Sequence, residues 1–394
     1  MKNLPYRWPL FARILYWLGF IHLMKRGKLL SGKPEEHNFK PSIGTFLMRK
    51  GEERLLKYCK KHIPEHQSDI PVQVVKAVDM TSEKMRQIRK ELLPVLIKGG
   101  ANHWRAINEL TLEFFENEYG EVEVPAHSEP NKVFDDNGKP VPLKNFYQMS
   151  WVKLKDVINS IRNNGEYSVK AIEDIMHLKG DYLVKTYCKI DHIEQLSDRK
   201  FFSKKWYYRK LPIGKVMSWQ LFMQPERSHT LWHTEPGDNF FIAAEGSKDW
   251  QVVPPYYSPG MYTVVKDDAV YHVSKVDGRE RNDVIERRGF PLYKYVPKYS
   301  ARVEKGDILY LPNYWWHTVT NVPGHHTISV TFRTLSALNL EAPAFWYLKK
   351  TDPKCNEIRR KVLKHGRLFD EDMAATLYAF ADEKNDLVKP PRNI

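Results

Sequence analysis

Short runs of alternating or continuous apolar residues, each closed by glycine, proline, asparagine or aspartate, fill the middle of the chain and predict β-strands. Val216-Met217-Ser218-Trp219-Gln220-Leu221-Phe222 opens the series and residues 327–333 close it. Between them Gly306-Asp307 reads as a turn that launches the apolar strand Ile308-Leu309-Tyr310-Leu311 ahead of Pro312. Upstream, residues 94–100 predict a buried strand with a Gly-Gly turn, and residues 111–119 a helix stopped by Gly120. Residues 125–143, rich in Pro, Asn, Asp and Gly, predict a loop or hairpin with Asp136-Asn137-Gly138 at its tip, and residues 152–163 an amphipathic helix. Residues 40–84 read as short helices and loops, with 51–62 the clearest helical run. Beyond Arg333 the pattern turns helical: Thr351-Asp352-Pro353 is a start, Gly366 a stop, and residues 370–382 a further helix. The pattern predicts a mainly β fold with helical additions, divided into a leading apolar segment (1–34), a helical leader (35–84), a catalytic-sized β domain (85–345) and terminal helices (346–394).

The leading segment changes this picture. Residues 8–24 are almost all apolar, yet Lys2, Arg7, Arg13, Lys25, Arg26, Lys28 and Lys33 surround or interrupt them, and no acid comes before Glu35. A spanning helix needs about 20 apolar residues, and Arg13 leaves only residues 14–24 uninterrupted. No small-x-small cleavage site follows. Such a segment lies in a membrane interface or docks as a helix on its own protein; a true anchor fits least well. The formal net charge of +14 points to acidic partners: nucleic acid, an anionic membrane surface or an acidic substrate segment. Lys204-Lys205-Trp206-Tyr207-Tyr208-Arg209-Lys210 interleaves bases with aromatics, and reads more readily as a solvated loop with inturned rings than as a single-strand-binding stretch. Cys59, Cys188 and Cys355 are odd in number and far apart, which excludes a disulfide framework and suits a reducing intracellular, cytoplasmic compartment.

The candidate chemistry lies in His233-Thr234-Glu235, answered far downstream by His317 in Asn313-Tyr314-Trp315-Trp316-His317. Residues i and i+2 of an extended strand share a face, so His233 and Glu235 aim at one point while Thr234 turns away. Two imidazoles and one carboxylate occupy three corners of an octahedron and leave three open, the ligand set of non-heme Fe(II) oxygenases. The same donors serve zinc hydrolases, but no His-Glu-x-x-His helix is present.

The stretch from Thr230 through His233, Glu235, Asn239, Gly246, Lys248 and Trp250 to Pro254-Pro255, followed by Gly306-Asp307 and Trp315-Trp316-His317, resembles the JmjC and cupin-like Fe(II)/2-oxoglutarate-dependent oxygenases, particularly the branch of the asparaginyl hydroxylase called factor inhibiting HIF. The resemblance covers roughly residues 85–345. It implies a double-stranded β-helix (jelly-roll) barrel, with metal held by His233, Glu235 and His317, and O2 consumed with 2-oxoglutarate as co-substrate. Lys248, fifteen places after His233, falls where the family pairs a lysine with the distal carboxylate of 2-oxoglutarate. A carboxylate buried in a barrel needs such a cation independently of the resemblance. Thr230 matches the family's hydroxyl partner for that carboxylate, and its offset of three from His233 requires a bulge near Leu231-Trp232. Asn239 matches a pocket-lining position, with a turn-stabilising role as the competing reading. Trp250 shares parity with Lys248 and reads as core packing or pocket wall. Thr331 and Arg333 lie where relatives sometimes place co-substrate contacts. Many members carry Asp where this chain has Glu235. The long stretch 258–305 reads as a lid or substrate loop. The expected activity is hydroxylation of a C–H bond, of a protein side chain by resemblance, with a non-catalytic cupin-like scaffold as the alternative. Relatives use C-terminal helices for homodimerisation, so the resemblance also implies a dimer.

Overall fold

The computed structural model describes residues 4–25, 42–128, 148–163, 165, 167–168, 186–197, 214, 216–226, 228–265 and 272–334. Its strands are β1 (Ile70–Pro71), β2 (Gln73–Lys76), β3 (Val95–Lys98), β4 (Glu123–Ser128), β5 (Gln148–Lys153), β6 (Tyr167–Ser168), β7 (Val216–Gln224) and β8 (His229–Thr234). They continue as β9 (Asp238–Glu245), β10 (Lys248–Val253), β11 (Thr263–Val265), β12 (His272–Ser274), β13 (Tyr299–Val303), β14 (Ile308–Leu311), β15 (Trp316–Asn321) and β16 (Thr327–Thr334). One sheet runs β1-β13-β10-β15-β8-β12-β11, a second β2-β3-β14-β9-β16-β7, and a small third β5-β4-β6. From β7 to β10 and again from β13 to β16 the chain switches sheet at every step. Two antiparallel halves, β13-β10-β15-β8 and β14-β9-β16-β7, therefore face each other as a jelly-roll.

Alternation along each strand gives this barrel two surfaces. Phe241, Trp250, Val252, Leu309, Leu311 and Val319 pack together between the sheets. The outer face of the second sheet is covered by residues such as Phe115, Val157, Ile158 and Ile193 from the helices Leu112–Tyr119, Leu154–Arg162 and Ile190–Leu196. The outer face of the first sheet, at Trp232, Val253 and Trp316, is covered by the N-terminal helices and by Tyr256, Tyr257, Met261, Leu292 and Tyr293.

Those N-terminal helices are α1 (Leu10–Lys25) and α2 (Ile43–His62). They cross where Gly19, Gly44 and Gly51 let the backbones touch: a Cβ on Gly19 would sit 2.5 Å from the Gly44 carbonyl oxygen, and one on Gly51 2.6 Å from the Tyr16 nitrogen. The expected short helices of residues 40–62 are thus one 20-residue helix, opened by a capping box between Ser42 and Thr45. The glycines inside these helices are contact points. Of the leading apolar segment, Leu10–Lys25 forms a helix docked on its own protein. Arg13, read as an interruption, is turned inward over the Tyr256 ring at 3.5 Å. Among the described residues no helix is long and apolar enough to cross a membrane.

The stretch 258–305, expected as a lid or substrate loop, contributes β11, β12 and β13 to the first sheet. It supplies β12, which pairs with β8, and ends in β13, itself a barrel strand. β4 and β5 pair antiparallel from Glu123↔Lys153 to Ser128↔Gln148, and the rest of the loop or hairpin expected over 125–143, with Asp136-Asn137-Gly138, lies outside the described residues. Residues 204–210 and the terminal helices expected over 346–394 also lie outside them. Cys59 and Cys188 are buried and free.

Candidate metal centre

β8 and β15 lie side by side with His233 directly opposite His317, and the ring centroids are 4.1 Å apart. Each imidazole is oriented by its own strand. His233 Nδ1–H donates to the Leu231 carbonyl at 2.8 Å and His317 Nδ1–H to the Trp315 carbonyl at 3.0 Å. With the proton fixed on Nδ1 by its hydrogen bond, Nε2 is the lone-pair nitrogen of each ring. Glu235, expected within the strand, is the first residue beyond its end, where its carbonyl accepts from the Tyr314 N–H at 2.7 Å. β14, the apolar strand that precedes His317 in sequence, belongs to the opposite sheet; His317 stands on β15 instead. One potential ligand atom from each of His233, Glu235 and His317 falls within 4.8 Å of the others.

Glu235 is 5% exposed, and Arg333 on β16 grips both its oxygens, with Nη2 donating to Oε1 at 2.6 Å. Burial alone would raise its pKa. The guanidinium outweighs burial, with help from the two imidazoles, and holds the carboxyl at about 2. Burial lowers the pKa of His317 against the opposing pull of Glu235. A carboxylate held ionised and two imidazoles held as Nε2 donors fit Fe(II), so the residues present suit the metal that the resemblance implies. Asn239 Nδ2 donates to Glu235 Oε2 at 3.4 Å, while Thr331 Oγ1 donates to Asn239 Oδ1 at 3.1 Å. Asn239 thus meets the carboxylate from β9, by a bond that also spans the turn between Glu235 and the strand.

β10 carries the remaining candidates on the same interior face. Val252 lies opposite His317, Trp250 opposite Val319 and Lys248 opposite Asn321, so all three share the face of His317. Trp250 stacks on the His317 ring at 5.5 Å and meets Phe241 edge-on at 4.7 Å, at once wall and core. Lys248 is 3% exposed, and its Nζ donates to Gln224 Oε1. The bulge required at Leu231-Trp232 is present. Pairing passes from His317↔His233 to Val319↔Thr230, two residues along β15 against three along β8. Thr230 therefore returns to the face of His233.

Other buried polar positions around the site escaped sequence reasoning. Gln220 accepts from Arg333 Nη2 at 2.5 Å, and Gln224 Nε2 donates to Ser228 Oγ at 2.7 Å beside Lys248. Their inward parity on β7 was the available signal. Arg89 pairs with Asp238 at 2.8 Å in a buried contact, and Asp238 also accepts from the Asn313 N–H at 3.0 Å. That pair ties the loop before β15 to the start of β9. His229, near the site in sequence, is bound to Thr320 and Thr318 instead.

With this geometry in place, the family follows from comparison. A family model described as a cupin-like domain matches residues 81–347, and the chain belongs to this cupin-like, JmjC-type oxygenase family. Similar proteins include the bifunctional arginine demethylase and lysyl-hydroxylase psr-1 of Caenorhabditis elegans, 25% identical over 75% of this chain and 66% of that protein. The lysine-specific demethylase JMJ21 of Arabidopsis thaliana is 25% identical over 60% of this chain and 23% of its own length. JmjC domain-containing protein E of Dictyostelium discoideum is 21% identical over 71% of this chain and 88% of its own. The chain thus spans less than two thirds of the first two. These likenesses carry the family and not the narrower asparaginyl-hydroxylase branch.

Proposed function

We propose that the chain is an Fe(II)- and 2-oxoglutarate-dependent dioxygenase that hydroxylates a C–H bond of a protein side chain. The observation that supports this most is the meeting of His233, Glu235 and His317 within 4.8 Å on the barrel face that also carries buried Lys248. Nε2 of each histidine and the Glu235 carboxylate would hold the iron. When bound, the metal supplies the redox chemistry that couples oxidation of 2-oxoglutarate by O2 to oxidation of the substrate. The balance is one 2-oxoglutarate, one O2 and one C–H bond giving succinate, CO2 and C–OH, with one oxygen atom entering each organic product.

The chain's own residues bind and orient. Lys248 Nζ and Thr230 Oγ1 would pair with the distal carboxylate, with Gln224 positioning the ammonium. Trp250 walls the site and keeps His317 from rotating. Arg333 and Asn239 keep Glu235 ionised and aimed. The protein-side-chain substrate class follows the relatives, one of which is named a lysyl-hydroxylase. The deciding experiment is succinate formation from 2-oxoglutarate by purified chain reconstituted with Fe(II) and no added substrate. Turnover that stops on adding a chelator is expected. Full-length protein that binds neither iron nor 2-oxoglutarate would instead be a cupin-like scaffold.

A further inference from the structure

The outer surface of the α1–α2 hairpin is a stripe of large apolar side chains with a basic border. On α1, Leu10, Phe11, Ile14 and Leu18 are 67%, 61%, 44% and 53% exposed, and their spacing keeps them on one side of the helix. α2 runs antiparallel to α1, since Gly44 meets Gly19 while Gly51 meets Tyr16 and Arg54 lies over Phe11 at 5.0 Å. It adds Ile43 and Phe46, 63% and 59% exposed. Surface apolar residues scattered singly are ordinary, but six large ones on two adjoining helices mark an interaction surface.

Charge selects the occupant. Residues 1–62 carry fourteen Lys and Arg against four Asp and Glu, ten of the chain's fourteen net positive charges. On α2 the exposed bases Arg49, Lys50, Arg54, Lys57, Lys60 and Lys61 lead away from the apolar end, with Glu53 the one exposed acid of that helix. Arg13, the only formal charge within residues 8–24, is withdrawn over Tyr256, so the stripe on α1 carries none. A second copy of so basic a face would be repelled. An anionic bilayer offers both a hydrocarbon boundary for the stripe and negative headgroups for its border.

We propose that the α1–α2 hairpin docks this protein peripherally on anionic membrane surfaces. The hairpin is fastened to the catalytic barrel: Tyr256 OH donates to the Trp8 carbonyl at 2.9 Å, Tyr257 OH donates to the Tyr6 carbonyl, and Tyr262 OH donates to Glu52 Oε1 at 2.9 Å. Its inner residues share one apolar cluster with Trp232 and Trp316, so docking would orient the sheet that carries His233 and His317 with its outer face toward the bilayer.

The test is co-sedimentation of the full chain with vesicles of phosphatidylcholine and phosphatidylserine at about three to one, alongside phosphatidylcholine alone. Selective pelleting with the anionic vesicles is expected, weakening as salt rises from about 0.05 to about 0.5 M because the headgroup attraction is screened. A triple variant, Phe11→Ser with Leu18→Ser and Phe46→Ser, should bind at least tenfold more weakly with an unchanged unfolding transition, since all three side chains are exposed. Arg54→Glu with Lys57→Glu and Lys60→Glu tests the border separately and should weaken binding similarly. Full-length protein left in the supernatant at low salt overturns the proposal, as does undiminished binding by either variant. Self-association that the triple variant abolishes, without vesicle binding, would give the face to a second copy and equally overturn it.

Discussion

The two faces of β8 and β15 are built by opposite rules. On the inner face stand His233 and His317, joined by the charges of Glu235, Arg333 and Lys248, every one of them in a hydrogen-bonded or ion-paired arrangement. On the outer face the adjacent residues Trp232 and Trp316 are fully buried in an apolar cluster under the N-terminal helices. Their indoles are tethered as well, Trp232 Nε1–H donating to Tyr293 OH at 3.0 Å and Trp316 Nε1–H to Ser258 Oγ at 2.8 Å. An isolated barrel would put apolar residues inside and polar ones outside. Here the pleat assigns chemistry to the inside and adhesion to the outside, so the backbone that aims the imidazoles is clamped from behind by packing.

The largest expected effect breaks the inner face alone. His233→Ala or His317→Ala should abolish iron binding and 2-oxoglutarate turnover while leaving the unfolding transition of the metal-free protein nearly in place. Equilibrium dialysis against Fe(II) and a thermal melt measure the two sides. Normal turnover in either variant would sink the metal assignment. Lys248→Ala is the next step down: losing the cationic partner of a buried carboxylate costs about 3–5 kcal/mol, roughly a hundredfold or more in 2-oxoglutarate affinity. Iron affinity should hold. Anaerobic titration of the Fe(II) protein separates these, and unchanged co-substrate affinity would move its anchor elsewhere.

Trp232→Ala breaks the outer face. A fully buried indole removed from a packed cluster costs about 3–5 kcal/mol of stability. In conditions where the variant stays folded its 2-oxoglutarate affinity should remain within a few-fold of the parent. If the denaturation midpoint barely moves, the outer cluster is not what clamps the ligand strands.

Much of this contrast was legible in the sequence, for a physical reason: a strand's alternation and the i, i+2 rule operate within a few residues. The pairing of His233 with Glu235 and the shared parity of Lys248 and Trp250 follow from local spacing, while Lys248 itself, Thr230 and the bulge it requires came from the family resemblance. What escaped requires three dimensions. Arg333 meets Glu235 only because β16 faces β8 across the barrel, Gln220 reaches Arg333 from the neighbouring strand β7, and Arg89 reaches Asp238 from 149 residues away. The full length of α2 was missed because its first turns are held by α1, which meets Gly44 and Gly51 from a distant part of the chain.

The smallest effect sharpens the comparison at a charge on the outer side. Lys298 lines a cleft there with Gln251, Gly278 and Tyr293, is 7% exposed, and stands 4.3 Å over the Tyr293 ring. Burial lowers its pKa to about 8, only partly offset by the charge of Asp69. The inner charges are held by full partners; this one is not. A lysine whose folded pKa lies below its unfolded value near 10.4 binds its proton more weakly when folded. The unfolded state then gains protons first as pH falls from about 10.4 to about 8, so stability drops across that window and the deficit is constant below it. Lys298→Met, which keeps most of the volume and removes the charge, should therefore stabilise the protein at pH 7 by on the order of 1–3 kcal/mol. That gain should shrink as pH rises toward 10. Urea denaturation of both proteins at pH 7 and pH 10 measures it. A variant no more stable than the parent at pH 7 would show that the outer cover satisfies its charge as fully as the barrel interior does, and the contrast between the two faces would then rest on packing alone.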